Sequence, residues 1–81
     1  MSHEQHQRIV SNPAIMRGKP TIKGTRITVE LVLDELGQGA SVDELIRDYP
    51  QLSREDVLAA LRFAADWLRH EEIEFGSPAA A

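Results

Sequence analysis

The fold is decided by residues 41–69, which read SVDELIRDYPQLSREDVLAALRFAADWLR. Ser41 is followed three residues later by Glu44, the spacing of a capping box at the start of a helix. Pro50 prevents that helix from continuing, and Ser53 opens a second one with an acid three residues on. The stretch therefore predicts two helices joined by a short turn, over residues 42–49 and 54–69.

The second of these helices is apolar around most of its circumference. At 100° per residue, one stripe collects Val57, Leu58, Leu61, Ala64, Ala65 and Leu68. Ala60, Phe63 and Trp67 widen this stripe, which then needs more cover than two short helices can give. We expect a homodimer or a docked partner through Phe63 and Trp67. The alternative is that the N-terminal strands fold over this side.

The residues upstream predict one more helix and a small antiparallel sheet. Thr28 is a candidate cap for a helix over 29–36, which Gly37 or Gly39 would end. Residues 8–28 alternate turn signals with short β-prone stretches, namely Ile9-Val10, Ile15-Met16, Thr21-Ile22 and Ile27-Thr28-Val29. The predicted fold class is mainly α, a three-helix bundle with a helix-turn-helix unit, preceded by a small N-terminal β-hairpin.

The domain organisation follows from this pattern. We expect one domain over residues 8–69, a disordered tail over 1–7, and an acidic, partly disordered tail over 70–81 in which Ile73 and Phe75 are candidate partner contacts. The chain has 81 residues and no cysteine, so its core is small and no disulfide supports it. No apolar run is long enough to cross a membrane, and we expect a cytoplasmic location.

The charge is unevenly distributed along the chain. The net charge is −4, but residues 1–29 sum to +4 and residues 30–81 to −8. This division favours two different surfaces or head-to-tail pairing; the alternative is that basic loops and acidic helix starts segregate by chance. If nucleic acid is bound, the candidate contacts are Arg17, Lys19, Lys23, Thr25, Arg26, Ser53 and Arg54.

The sequence favours a binding protein over an enzyme. His3 and His6 have the H-x-x-H spacing of metal ligands, but they lie in a polar tail, where a solvated role is the better interpretation. No serine, histidine and acid can be placed together, and no carboxylate pair has an apolar setting. We expect no catalytic residue, no metal, no cofactor and no small-molecule substrate.

Two blocks of sequence resemble a known family. Residues 12–29, with the core GKPTIKGTRI at 18–27, resemble the bacterial and archaeal family called domain of unknown function 433. Residues 39–61 match the family pattern less specifically, and the likeness extends over about residues 8–69. One departure is Lys19, which stands where the family usually has a second glycine at an exposed turn.

The resemblance implies a fold and a function. Members resemble homeodomain-like three-helix proteins preceded by β-strands, and many are described as VapB-type antitoxins paired with a PIN-like ribonuclease toxin. It therefore implies a dimer that binds its promoter DNA and masks the toxin, with Lys23 to Arg26 and the helix after Ser53 facing DNA. The alternative is a protein-interaction module that binds no nucleic acid. An RNA-binding role is a weaker third reading, because the few aromatic residues fall on apolar helix faces.

Overall fold

The computed structural model describes residues 7–71 of the chain. Along the chain lie strands β1 (Ile9–Val10) and β2 (Thr21–Ile22), then helices α1 (Val29–Gly37), α2 (Val42–Asp48) and α3 (Arg54–Glu71). The predicted fold class, three helices after a small antiparallel hairpin, is confirmed. The predictions for residues 1–6 and 72–81, among them those for His3, His6, Ile73 and Phe75, lie outside the described residues.

The hairpin is short and its long connection is internally hydrogen-bonded. Strands β1 and β2 pair in antiparallel register, with Ile9 opposite Ile22 and Val10 opposite Thr21. The connection contains a left-handed turn at Met16–Gly18, where φ is 49°, 58° and 81° along the three residues. Of the β-prone pair Ile15-Met16, Ile15 has extended backbone, but Met16 turns into the left-handed region, so the pair forms no strand. The backbone polar groups of Ile15 are used within the loop. Its N–H donates to the Asn12 carbonyl, and its carbonyl accepts from the Gly18 N–H.

A second tight turn leads from the hairpin into α1. Thr25 N–H donates to the Ile22 carbonyl and Ile22 N–H donates to the Ile27 carbonyl, with Gly24 at a φ of +83°. Thr28 then forms an isolated bridge with Thr21, and its hydroxyl accepts the Leu31 N–H at 3.0 Å. The predicted cap at Thr28 is confirmed, and it fixes where the extended chain becomes helical.

The remaining helix ends also use local hydrogen bonds. The predicted capping box of α2 is confirmed, because Ser41 Oγ accepts from Glu44 N–H and Glu44 Oε1 accepts from Ser41 N–H. Helix α1 ends in a Schellman motif, in which Ala40 N–H donates to the Glu35 carbonyl and Gly39 takes a φ of +107°. Of the two predicted glycine stops, Gly39 is the one used.

The core lies where the hairpin meets the three helices. Its most deeply buried large side chains are Ile22 from β2, Val32 from α1, Leu45 from α2 and Val57 from α3. Ile9, Val29, Leu52, Ala59 and Ala60 complete the buried cluster. Because both strands and all three helices contribute side chains to this cluster, the hairpin is part of the core and not an appendage.

Helix α3 is turned differently from the orientation that the apolar stripe suggested. Its buried apolar residues are Val57, Ala59 and Ala60, whereas Leu58 and Leu61 are 50% and 40% exposed. The buried face therefore lies roughly a third of a turn from the centre of the predicted stripe. Small side chains face the core because they let α3 approach the other elements closely. Within residues 7–71, no helix has the length and apolarity needed to cross a bilayer.

Candidate binding groove

An open apolar groove runs between α1 and the C-terminal half of α3. Its volume is about 690 Å³. Its walls are built from Val29 and Leu33 of α1 and from Phe63, Trp67 and Leu68 of α3, all apolar. We refer to this feature below as the α1–α3 groove.

The groove exists because α3 is much longer than its neighbours. Helix α3 has 18 residues and α1 has nine, so α3 extends past the core by several turns. Phe63 still packs partly on the core, while Trp67, one turn further on, is 55% exposed. The two rings lie with their centroids 5.9 Å apart, and together they form one aromatic wall.

The opposite rim of the groove is charged. Lys19 Nζ donates to Glu30 Oε1 at 3.0 Å, and this ion pair links the hairpin connection to the first turn of α1. Asp34 lies one turn further along the same rim and is exposed. An apolar floor with an ionic rim is the usual anatomy of a protein-binding surface.

Three of the predicted nucleic-acid contacts gather on the turns that flank β2. Arg17 lies in the Met16–Gly18 turn, and Lys23 and Arg26 lie in the turn between Ile22 and Ile27. Arg26 Nη2 approaches the Met16 sulfur at 3.9 Å, which brings the two turns together. These three cations, the basic-turn residues, are exposed and form no ion pair within the part of the chain that the structure describes.

The other four predicted contacts have structural partners. Lys19 is held by Glu30 at the groove rim, and Thr25 Oγ1 donates to the Ile22 carbonyl while accepting from Ile27 N–H. Ser53 caps α3 by accepting the Asp56 N–H, and Arg54 forms an ion pair with Asp43 of α2. The structure therefore does not bring Ser53 and Arg54 together with the basic-turn residues in one contact network.

The helix-turn-helix unit formed by α2 and α3 presents an unusual surface. Over the first two turns of α3, residues 54–61, the residues that face away from the core are Arg54, Glu55, Leu58 and Leu61. In a helix that reads DNA, these positions would carry hydrogen-bond donors and acceptors for base edges. Here they carry one cation, one acid and two leucines, so this face is better suited to a protein surface than to a DNA groove.

The acidic side chains that the structure describes are dispersed rather than clustered. Among residues 7–69, no three lie close enough together to hold a metal ion. Glu44 and Asp56 instead accept backbone N–H groups at helix starts. The described residues therefore offer apolar contact and charge as their means of recognition.

The sequence pattern predicts only one wall of the groove. Phe63 and Trp67 were picked out by their position on an apolar helix. Val29 and Leu33, which form the facing wall, were not predicted to line an open surface. Nothing in the spacing shows that the hairpin leaves this side uncovered, because that depends on how short the two strands are.

The fold and the surface together define a small, mainly α domain with a hairpin-braced helix-turn-helix unit and an open apolar groove. The chain belongs to the family described as "Protein of unknown function (DUF433)", whose pattern matches residues 9–64. A crystal structure of a DUF433 member from Anabaena variabilis ATCC 29413 is similar to it, with a TM-score of 0.72 and 31% sequence identity. That likeness covers 79% of this chain and 63% of the other.

A curated relative shows the same family likeness at the level of sequence. The uncharacterised protein y4eO of Sinorhizobium fredii (strain NBRC 101917 / NGR234) is 33% identical over 69 residues. The match covers 84% of this chain but only 31% of the relative, so the chain spans about a third of that protein's length.

Proposed function

We propose that this chain is a non-enzymatic binding protein of the antitoxin type, which masks a PIN-like ribonuclease toxin by holding part of it in the α1–α3 groove. The observation that carries the proposal is Trp67, whose side chain is 55% exposed on the wall of an apolar groove. Aromatic side chains in such positions are typical anchors of protein interfaces.

The charge of the chain supports an RNA-processing enzyme as the occupant. Glu30 and Asp34 lie at the rim of the groove, and residues 30–81 carry a net charge of −8. A ribonuclease concentrates positive charge around the cleft that binds RNA, so an acidic partner is complementary to it and competes with the RNA. The segment that enters the groove should therefore be apolar with basic residues beside it.

The use of four carboxylates supports a binding role over a catalytic one. Asp56 and Glu44 are committed to helix caps, and Glu30 and Asp43 to ion pairs. A general acid or base must be free to exchange a proton with a substrate in a pocket. These acids instead stabilise the domain that presents the groove.

Co-expression with the product of the adjacent gene tests the antitoxin proposal. We expect the two chains to co-elute in size exclusion with light scattering, and we expect the partner's ribonuclease activity to be inhibited in the complex. Trp67→Ala should weaken the complex strongly, whereas Leu58→Ala, which lies on the other side of α3, should leave it intact. Absence of a complex, or a complex in which the ribonuclease stays active, would contradict the proposal.

DNA binding is a second candidate function, which the basic-turn residues favour. Arg17, Lys23 and Arg26 are exposed on adjoining turns with no carboxylate beside them in the described chain. Cations placed in this way contact phosphates, which gives affinity with little sequence information. Since the outward face of α3 carries leucines, we propose that any DNA contact is made by these turns.

A gel-shift titration with the DNA upstream of the gene tests this second function. Binding should be strongest at low salt and fall steeply as salt rises. The double variant Arg17→Ala/Arg26→Ala should lose binding, and Arg47→Ala, which removes an exposed cation from α2, should retain it. No shift at low salt would remove the DNA-binding candidate and leave the protein-binding proposal in place.

A further inference from the structure

A second apolar surface lies on the outward face of α3. It is formed by Leu58, Leu61, Ala65 and Leu68, which we call the leucine seam. Leu58 and Leu68 are 50% and 56% exposed, and Leu61 and Ala65 are also exposed. The seam lies across the helix from the face that packs on the core, and Leu68 marks its border with the α1–α3 groove.

The spacing of the seam is that of a helix that pairs with another helix. The four residues follow one another at intervals of three, four and three, which are the a and d positions of a heptad repeat. Their Cα atoms extend over about 15 Å of helix, at 1.5 Å per residue. Exposed leucines at this spacing on a single helix bury most of their surface when a second helix lies alongside.

We propose that two copies of this chain associate through the leucine seam, with their α3 helices antiparallel. In this arrangement Leu58 packs against Leu68 of the partner subunit, and Leu61 against the smaller Ala65 of the partner subunit. The alternation of large and small side chains lets the two helices approach closely along the whole seam. The contact is isologous, since each copy presents the same residues to the other.

The flanking charges favour this orientation. The positions beside the seam on one edge are Glu55, Arg62 and Arg69. Antiparallel pairing brings Glu55 close to Arg69 of the partner subunit, and the two-fold symmetry makes this contact twice. Parallel pairing would instead place Arg62 and Arg69 against apolar residues on the opposite edge of the partner's seam, so it provides no charge pair along this stretch.

Two details of the described chain fit the charge pairing. Glu55 is exposed and has no ion-pair partner among residues 7–71. Arg69 already approaches Asp66 at 2.6 Å, and Arg62 lines the same small pocket as these two residues. Asp66 therefore offsets the repulsion between the two Arg62 side chains, which antiparallel pairing places near the two-fold axis.

Sedimentation equilibrium of the chain and its seam variants tests the proposal. The wild-type chain should form a dimer, and Leu61→Glu should raise the dimer dissociation constant by at least about tenfold, since it places an acid in the seam. Trp67→Ala, in the groove, should leave dimerisation within a few-fold of wild type. Circular dichroism of each variant establishes that the domain is still folded, because Leu61 lies outside the core.

A charge exchange separates this interface from any other. Glu55→Arg and Arg69→Glu should each weaken the dimer several-fold, and the two changes combined should restore it. A monomer at millimolar concentration would overturn the proposal. A dimer that survives Leu61→Glu, or one that the combined charge exchange fails to restore, would overturn it as well.

Cross-linking tests the antiparallel orientation directly. The chain has no cysteine, so each single cysteine variant can cross-link two copies only through the position that was changed. In an antiparallel pair, two copies of Arg62→Cys lie near the axis and a short bis-maleimide should join them. Two copies of Glu55→Cys are then about 24 Å apart along the helices and should not react. Efficient cross-linking of Glu55→Cys would indicate a parallel pair and contradict the proposal. The co-expression test of the groove is independent of this outcome.

Discussion

The Arg8 guanidinium lies 3.0 Å from the carboxylate of Asp56, and this ion pair joins the start of the hairpin to the start of α3 across 48 residues of sequence. The other oxygen of Asp56 accepts the Ser53 N–H at 3.0 Å. One carboxylate therefore caps the longest helix and anchors the hairpin to it. Its side chain is only 12% exposed, so the contacts are largely shielded from water.

Removal of this carboxylate should destabilise the domain. Asp56→Ala deletes both the cap and the anchor and leaves Arg8 without a partner, at an expected cost of about 2–3 kcal/mol. Urea denaturation followed by circular dichroism measures this change. Asp43→Ala is the matched control, because its ion pair with Arg54 is exposed and should be worth about 0.5 kcal/mol or less. Equal losses for the two variants would contradict the anchoring role.

The two glycines near the end of α1 should respond in opposite directions. Gly39 has a φ of +107°, which L side chains rarely adopt, so Gly39→Ala should cost about 1–2 kcal/mol. Gly37 is helical with open space around its Cα, and Gly37→Ala should stabilise by about 0.5–1 kcal/mol. Thermal or urea unfolding of the two variants measures both. Similar effects would show that Gly39 does not end the helix as described.

Neighbouring apolar residues on α2 should differ sharply in their effect on stability. Leu45 is 1% exposed in the centre of the core, and Leu45→Ala should cost about 2–5 kcal/mol. Ile46 is next in sequence but only partly buried, so Ile46→Ala should cost clearly less. Urea midpoints of the two variants provide the comparison. A larger loss for Ile46→Ala would mean that α2 packs by a different face.

The two aromatic residues of the groove should separate stability from binding. Phe63 packs partly against the core, so Phe63→Ala should destabilise the chain by about 2 kcal/mol as well as weakening the partner complex. Trp67 is mostly exposed, and Trp67→Ala should change stability by less than about 1 kcal/mol while removing the main anchor. Unfolding curves and partner affinity, measured side by side, check this. If Trp67→Ala unfolded the chain, the exposed position of Trp67 in the groove would be contradicted.

The features that were predictable from sequence are mostly local. The caps at Thr28, Ser41 and Ser53 each involve a residue three positions away, and all three were identified before the tertiary structure was known. The pair Ile15-Met16 is β-prone, but only Ile15 has extended backbone, because the chain turns at Met16. A hydrogen bond from the Gly18 N–H to the Ile15 carbonyl closes that turn.

The orientation of α3 was not predictable from sequence, for a physical reason. A helix that carries apolar residues on nearly every side has no single strongest face, and tertiary packing chooses among them. The face that packs on the core carries Ala59 and Ala60, so Leu58 and Leu61 are exposed. The groove depends on the orientation of α3 and on the shortness of the hairpin, neither of which the sequence pattern predicts. The pattern therefore predicted the aromatic wall on α3 but not the facing wall on α1.

A partner protein that fills the α1–α3 groove would cover Trp67, and because this is the single tryptophan of the chain it gives the most direct test of the proposed function. We would incorporate 5-fluorotryptophan, add the purified product of the adjacent gene, and record the ¹⁹F resonance in H₂O and in D₂O. The free chain should show a solvent isotope shift, because Trp67 is exposed. In the complex the resonance should move and the isotope shift should be lost. A complex that leaves both the resonance and its isotope shift unchanged would contradict the proposed function of the groove.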